Sequence, residues 1–240
     1  MTAQLYLAPA SAGKSRYAID LARKAGQNLN AEVRVCVASR LQVQSWQRRL
    51  ATAGGALGVR VMTFDRLYEE CLIEAGESYT RLGNAVQYRL LRTIVDEISL
   101  DHYHTLREFP GFIQLLQSFV QELKGARVMP EEFQRAVSDL GDESRLRDLG
   151  HIYRAYQDRL RDDDWADYAG VGWLAVESLE QRATQVARDW PWLIVDGFDN
   201  FTEIQLALLQ ILASRVGTLA ITLTGPAEEG DPRPVHHRFD

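Results

Sequence analysis

The sequence has 240 residues, 46% of them hydrophobic, and its 33 acidic and 27 basic residues give a formal net charge of −6 at pH 7. This balance excludes a globally basic protein, so any contact with nucleic acid must be local. Cys36 and Cys71 have no metal-type spacing, and no apolar run is long enough to cross a bilayer. We therefore expect a cytoplasmic location, no membrane partner and no iron–sulfur cluster in this stretch.

The chain begins with a short apolar run at residues 5–7, a loop with P-loop character and a helix. In such a unit, backbone N–H groups and the helix N-terminus hold phosphate oxygens. We expect Lys14 to reach the β- and γ-phosphates of ATP, the Ser15 hydroxyl to bind Mg²⁺, and Gly13 to leave room for phosphate. Ala8 stands where a P-loop usually has its first glycine, and the alternative is an ordinary turn with a chance Gly-Lys-Ser. The predicted nucleotide-binding residues are Ala8, Pro9, Ala10, Ser11, Ala12, Gly13, Lys14 and Ser15.

Two further strand–helix units follow the first. A β-branched run at residues 31–38 predicts a strand, and Ser39 precedes its helix. Residues 59–62 predict a third strand, followed by Thr63 and another helix. This alternation predicts an α/β fold with a parallel sheet, helices on both of its faces and ligands at the carboxyl ends of the strands.

Strand signals are absent from residues 83–188, where apolar residues recur at helical spacing. Asp167 is a candidate N-cap for one of the helices in this region. We therefore predict an all-helical insertion at 83–188 within a discontinuous α/β domain made of 1–82 and 189–240.

Strand character returns at residues 192–196, and a last strand is predicted at 218–223. The first of these strands ends in Asp196, which resembles a Walker B acid. Beside the P-loop strand, its carboxylate would help to hold Mg²⁺. Gly197 follows where many P-loop ATPases have a glutamate base, so hydrolysis would depend on Asp199 or Glu203. Their alternative is structural, since acids are favoured in turns and at helix N-termini.

The string from Asp196 to Thr202 resembles the DGF…FT signature of AddB/RexB-type proteins, the B subunits of bacterial ATP-dependent helicase–nucleases. Residues 61–67 are similar to the TF-x-R/x-L segment of that family. Residues 147–160 are similar to a helical segment of that family with the pattern DL..IY..Y...L. The spacing from the P-loop through the helical insertion to the DGF string also agrees with the family. The resemblance covers essentially the whole chain, but only the N-terminal part of such a protein.

This resemblance implies an inactivated superfamily I helicase fold: a RecA-like P-loop sheet with a helical insertion of the 1A/1B type. It implies an AddA-type helicase–nuclease subunit and DNA ends, single- or double-stranded, as partners in double-strand-break repair and recombination. Only residues 1–4 precede the predicted first strand, so we do not expect the adenine-reading glutamine of superfamily I motors before it. The tail at 230–239 resembles a motor motif, but Pro234 replaces its γ-phosphate-sensing glutamine. Together with Gly197, these departures predict binding of ATP with weak or absent turnover.

In this fold, single-stranded DNA crosses the loops after the second and third strands. The matching residues are Ser39, Arg40, Thr63 and Phe64, which offer phosphate contacts and an aromatic ring for stacking. The alternative is that Ser39 and Thr63 cap the following helices while Phe64 packs in the core.

Two other functions remain open from the sequence. A free-standing P-loop NTPase or phosphotransferase would use the helical insertion as a lid. A scaffold with a vestigial nucleotide site is compatible with Ala8 and Gly197.

Overall fold

The computed structural model describes residues 2–28, 32–141, 143–181, 183 and 185–225. The motor-like tail at 230–239 therefore lies outside the described residues. The strands are β1 Thr2–Ala8, β2 Val33–Val37, β3 Val59–Met62, β4 Thr80–Arg81, β5 Trp165–Ala166, β6 Trp192–Phe198 and β7 Thr218–Thr224. The helices are α1 Lys14–Ala25, α2 Arg40–Thr52, α3 Phe64–Ala75, α4 Asn84–Glu97, α5 Pro110–Gly125, α6 Pro130–Asp139, α7 Ser144–Asp162, α8 Tyr168–Gln181 and α9 Glu203–Ala213.

Five of the strands form one sheet in the order β1-β7-β6-β2-β3, and every neighbouring pair is parallel. This confirms the predicted parallel sheet. The central strands β6 and β2 are mostly buried, as expected for strands covered on both faces.

Helices lie on both faces of this sheet, as the alternating residues of β2 show. Val33, Val35 and Val37 share a core with residues of α1 and α2. Arg34, between them in sequence, forms an ion pair with Glu70 of α3 at 3.2 Å. Because successive side chains of a strand point to opposite faces, α3 covers the face opposite α1 and α2.

One prediction about strand order is wrong. The strand that carries Asp196, β6, does not lie beside the P-loop strand β1, because β7 is hydrogen-bonded between them. The chain returns from β6 through α9 and places β7 in that position. Local sequence patterns do not encode which strands become neighbours, and this explains the error.

The chain divides into two compact units. One contains the described residues of 1–75, 177–201 and 205–240, and the other contains 76–176 and 202–204. These boundaries differ by several residues from the predicted 82 and 188.

The unit centred on 76–176 has its own hydrophobic core, built by α4, α5 and α7. Asp167 accepts a hydrogen bond from the Gly170 N–H at 2.6 Å, which confirms the predicted cap of α8. The prediction of an all-helical region is wrong in one detail, because β5 pairs with β4 in a parallel two-stranded sheet. Strands of two residues are too short to produce a periodic signal.

Candidate functional site

The loop between β1 and α1 has the backbone conformation of a tight turn that leads into a helix. Ser11 and Gly13 both adopt positive φ angles, 62° and 91°. Gly13 is the N-cap of α1 and provides no side-chain cap, so the first N–H groups of the helix have no side-chain acceptor from the cap residue. A Cβ built at Gly13 would meet no atom within 4 Å, so the loop surface is open at this position.

Lys14 folds back over the loop that precedes it. Its Nζ donates hydrogen bonds to the carbonyl oxygens of Ala8 at 2.8 Å and Pro9 at 2.7 Å. Partial burial lowers the pKa of Lys14, whereas the negative charges of Asp196 and Asp199 act in the opposite direction. The ammonium therefore lies at the carboxyl end of β1, within the electrostatic field of both acids.

Asp196 is almost completely buried, with 2% of its surface exposed. The Trp46 indole N–H of α2 donates to its Oδ2 at 2.9 Å, and the Thr222 hydroxyl of β7 donates to its Oδ1 at 2.5 Å. Sequence reasoning missed both donors. Thr222 could have been found as the polar residue in the interior of β7, between apolar neighbours, whereas nothing local marks Trp46 as a partner of an acid 150 positions away.

Gly197 has a φ of 81°, in the left-handed region that favours glycine. The side-chain amide of Gln42 packs over it, and a Cβ at this position would lie 2.9 Å from the amide oxygen. The same amide accepts a hydrogen bond from the Ala38 N–H at 2.8 Å and donates to the Gly197 carbonyl oxygen at 3.4 Å. Gln42 thus links the ends of β2 and β6.

The two acids that could replace the base missing at position 197 lie in different surroundings. Asp199 is exposed just after β6, and its charge reaches Lys14. Glu203 is exposed in the first turn of α9, where a negative charge favours the helix.

The predicted DNA-contacting residues follow β2 and β3 as expected. Ser39 caps α2 by accepting a hydrogen bond from the Gln42 N–H at 3.3 Å, which confirms the capping alternative for this residue. Arg40 is exposed in the first turn of α2, and the Thr63 carbonyl accepts a hydrogen bond from the Leu67 N–H as α3 begins. The structure thus places Ser39 and Arg40 on the surface at this edge of the sheet.

Phe64 does not offer an open face for base stacking. Its side chain is 5% exposed and packs edge-on against Phe198 and Phe201, with Tyr68 on its own helix. Phe64 therefore packs in the hydrophobic core, as the alternative interpretation of the sequence predicted.

An open groove of about 430 Å³ adjoins the loop along the outer edge of β1. Its wall includes the rings of Tyr6 and Tyr17, whose centroids are 4.8 Å apart and whose planes are tilted by 53°. The lining residues are Leu5, Tyr6, Leu7, Ala8, Ala12, Gly13, Lys14 and Tyr17.

Two features are absent from the described residues. Within them, no group of three or more His, Cys, Asp or Glu side chains is arranged to hold a metal ion. In the same part of the chain, no helix combines the length and the apolar character needed to span a bilayer.

Together the fold and the site define a Rossmann-like parallel α/β domain, with a loop of P-loop sequence at the end of its first strand and a second, mainly helical unit. The family model described as "ADDB, N-terminal" matches residues 5–239. The chain belongs to this family, which confirms the resemblance seen in the sequence.

Curated relatives agree with this assignment. Each of the following is named as the B subunit of an ATP-dependent helicase/deoxyribonuclease. The protein of Moorella thermoacetica is 32% identical over 198 residues, which cover 76% of this chain and 16% of the relative. That of Ruminiclostridium cellulolyticum is 24% identical over 240 residues, which cover 93% of this chain and 20% of the relative. That of Pediococcus pentosaceus is 26% identical over 149 residues, which cover 59% of this chain and 12% of the relative. The chain therefore spans a fifth or less of the length of these relatives.

Proposed function

We propose that this chain is the N-terminal, helicase-like domain of the B subunit of an ATP-dependent helicase/deoxyribonuclease. In this proposal it binds ATP with Mg²⁺, turns it over weakly or not at all, and works in the cytoplasm beside an AddA-type subunit on DNA ends during repair and recombination. Family membership supports the role in the complex. The observation that carries nucleotide binding is Lys14, which sits over an open loop within the field of two acids.

The loop geometry fits a triphosphate. The first turn of α1 contains no acidic residue that would repel phosphate, and Gly13 faces open space. A bound phosphate would compete with the Ala8 and Pro9 carbonyls for the Lys14 ammonium, since those oxygens hold it in the free protein. Nucleotide binding therefore requires Lys14 to exchange neutral acceptors for charged ones, which form stronger hydrogen bonds.

The metal site fits less completely. The Ser15 hydroxyl, in the first turn of α1, is the direct ligand that we propose for Mg²⁺. Asp196 is buried and both of its oxygens already accept hydrogen bonds. In our proposal it therefore acts mainly through its charge, on the metal and on Lys14.

The weak turnover that we propose rests on Gly197. A general base must lie within hydrogen-bond reach of the attacking water, and glycine provides none. The positive φ at this position and the overlying Gln42 amide oppose any larger side chain. Asp199 is the acid that remains near Lys14.

Thermal unfolding with and without Mg-ATP tests nucleotide binding. A ligand at about 100 times its Kd stabilises the folded state by about 2.7 kcal/mol, which raises the midpoint of a domain of this size by about 5–10 °C. Lys14→Ala should abolish this rise, whereas Lys24→Ala, an exposed lysine at the other end of α1, should retain it. Absence of a rise in the unaltered protein would instead favour the scaffold with a vestigial site.

Phosphate release tests turnover. We expect release close to background, with or without single-stranded DNA. Rapid release by the isolated chain would contradict our proposal and favour a free-standing NTPase.

A further inference from the structure

Helices α1 and α2 lie side by side on one face of the sheet. Ile19 of α1 and Trp46 of α2 are buried in the same core as the odd-numbered residues of β2. The outward sides of these two helices therefore form one continuous surface, which we call the α1–α2 layer.

The charge of the α1–α2 layer is opposite to that of the whole chain. The chain has more acidic than basic residues, 33 against 27. In the layer, α2 contains no acid at all, and the only acid of α1 is Asp20. The basic residues of the layer are Lys14, Arg16, Arg23, Lys24, Arg40, Arg48 and Arg49.

Most of these basic groups have no counter-charge within the part of the chain that the structure describes. Among the residues that the structure describes, Asp20 pairs with Arg23 at a distance of 3.9 Å. Five exposed side chains of the layer form no ion pair with any described residue: Arg16, Lys24, Arg40, Arg48 and Arg49. Elsewhere on the surface, arginines commonly face a carboxylate, as do Arg60, Arg92, Arg145, Arg154, Arg159 and Arg161.

Helix stability explains only part of this pattern. Arg23, Lys24 and Arg49 lie in the last turns of their helices, where a positive charge interacts favourably with the helix dipole. Arg16 and Arg40 lie in the first turns, where the same charge is unfavourable. Because the basic residues occur at both ends, a ligand with distributed negative charge explains the layer better than the dipole does.

We propose that the α1–α2 layer binds the phosphate backbone of nucleic acid without reading its sequence. From Arg40 to Arg48 the axis of α2 rises by about 12 Å, which matches three to four nucleotides of a duplex strand at about 3.4 Å each. Exposed arginines and lysines spread over such a length neutralise several phosphates and release their counterions. This surface begins at Arg40, one of the contacts proposed at the carboxyl ends of β2 and β3, and extends from there along the outward sides of α1 and α2. It does not require nucleotide.

Fluorescence anisotropy with a labelled oligonucleotide of about 20 nucleotides tests this proposal, single-stranded in one arm and duplex in the other. The variant Lys24→Gln/Arg48→Gln/Arg49→Gln removes three charges far from the P-loop and spares Arg40. The matched control, Arg145→Gln/Arg159→Gln/Arg161→Gln, removes three exposed charges from the other unit. Nucleotide is omitted, and unlabelled polyglutamate serves as a competitor.

We expect the layer variant to weaken binding at least about tenfold at about 50 mM salt, while the control stays within about twofold of the unaltered protein. The salt dependence of log K should become shallower by up to about 2 in slope, since each lost phosphate contact contributes about 0.7 for a single strand. The Mg-ATP shift in thermal midpoint should persist in the layer variant, which separates this surface from the nucleotide site and shows that the variant is folded.

Three results would overturn the proposal. The first is that the unaltered protein fails to bind either oligonucleotide, and the second is that the layer variant binds as tightly as the unaltered protein. The third is that the control loses as much affinity as the layer variant, which would assign the effect to net charge. Displacement of DNA by polyglutamate of equal charge would likewise overturn it, in favour of an acidic protein partner.

Discussion

The carboxylate of Asp196 receives a hydrogen bond on each of its oxygens, from Trp46 and Thr222. Both donors are neutral, so they do not cancel the charge of a buried acid. The field of Asp196 acts on the Lys14 ammonium and favours its charged form. Asp196 thus stabilises the charged form of Lys14 although β6 and β1 are not neighbouring strands, and this effect requires no metal.

Gly197→Ala tests whether the backbone at this position excludes the usual base. We expect a loss of about 1–2 kcal/mol in the free energy of unfolding, because an L-residue at a φ of 81° is strained. The new Cβ would also approach the Gln42 amide. Urea unfolding of Gly197→Ala, Gln42→Ala and the double variant separates the two causes.

The Gln42 amide is the end of a flexible side chain, so removing it should relieve only the contact. We expect at least half of the loss caused by Gly197→Ala to persist in the Gln42→Ala background. Complete recovery there would show that packing, and not φ, selects glycine.

At the scale of the element, α2 brings together three groups of the candidate site. Ser39, Gln42 and Trp46 follow one another at a spacing that places them on one side of the helix. They respectively cap α2, cover Gly197 and donate to Asp196. A movement of α2 would therefore disturb the Asp196 carboxylate and the strand ends proposed to contact DNA together.

Ser39 combines a cap with a proposed DNA contact, and two substitutions separate these roles. Ser39→Ala removes the acceptor of the Gln42 N–H and should lower the free energy of unfolding by about 1 kcal/mol. Ser39→Asn preserves the cap and should stay within about 0.5 kcal/mol of the unaltered protein. Urea unfolding measures both.

Binding of a short single-stranded oligonucleotide decides the second role. If only Ser39→Ala weakens binding, then the cap orders the loop for DNA. If neither variant does, then Ser39 is a structural residue alone.

At the scale of the whole molecule, the sequence predicted the features that depend on local pattern. β-Branched runs located the strands, and glycine with lysine and serine located the loop before α1, because both signals lie within a few residues. Strand order, the β4–β5 pair and the donors to Asp196 escaped prediction. Each of them joins segments distant in sequence, and their contacts depend on packing that no short stretch encodes.

The two cysteines give a prediction for the stability of the whole protein at alkaline pH. Cys36 and Cys71 are fully buried. Burial raises the pKa of the Cys36 thiol well above its ordinary value, and it raises the pKa of Cys71 from 9.0 to about 12. Above pH 9 the unfolded chain releases thiol protons that the folded protein retains, so stability must fall as pH rises towards 12.

Within this window each buried thiol lowers the free energy of unfolding by at most about 1.4 kcal/mol per pH unit, and below the window it has no such effect. Urea unfolding between about pH 8 and about pH 10.5, compared with Cys36→Ala/Cys71→Ala, isolates this contribution because tyrosines and lysines titrate alike in both proteins. We expect the difference in unfolding free energy between the two proteins to shrink steadily above pH 9. A constant difference across the range would show that the thiols ionise equally in the folded and unfolded chains, which is incompatible with burial of Cys36 on β2 and Cys71 on α3.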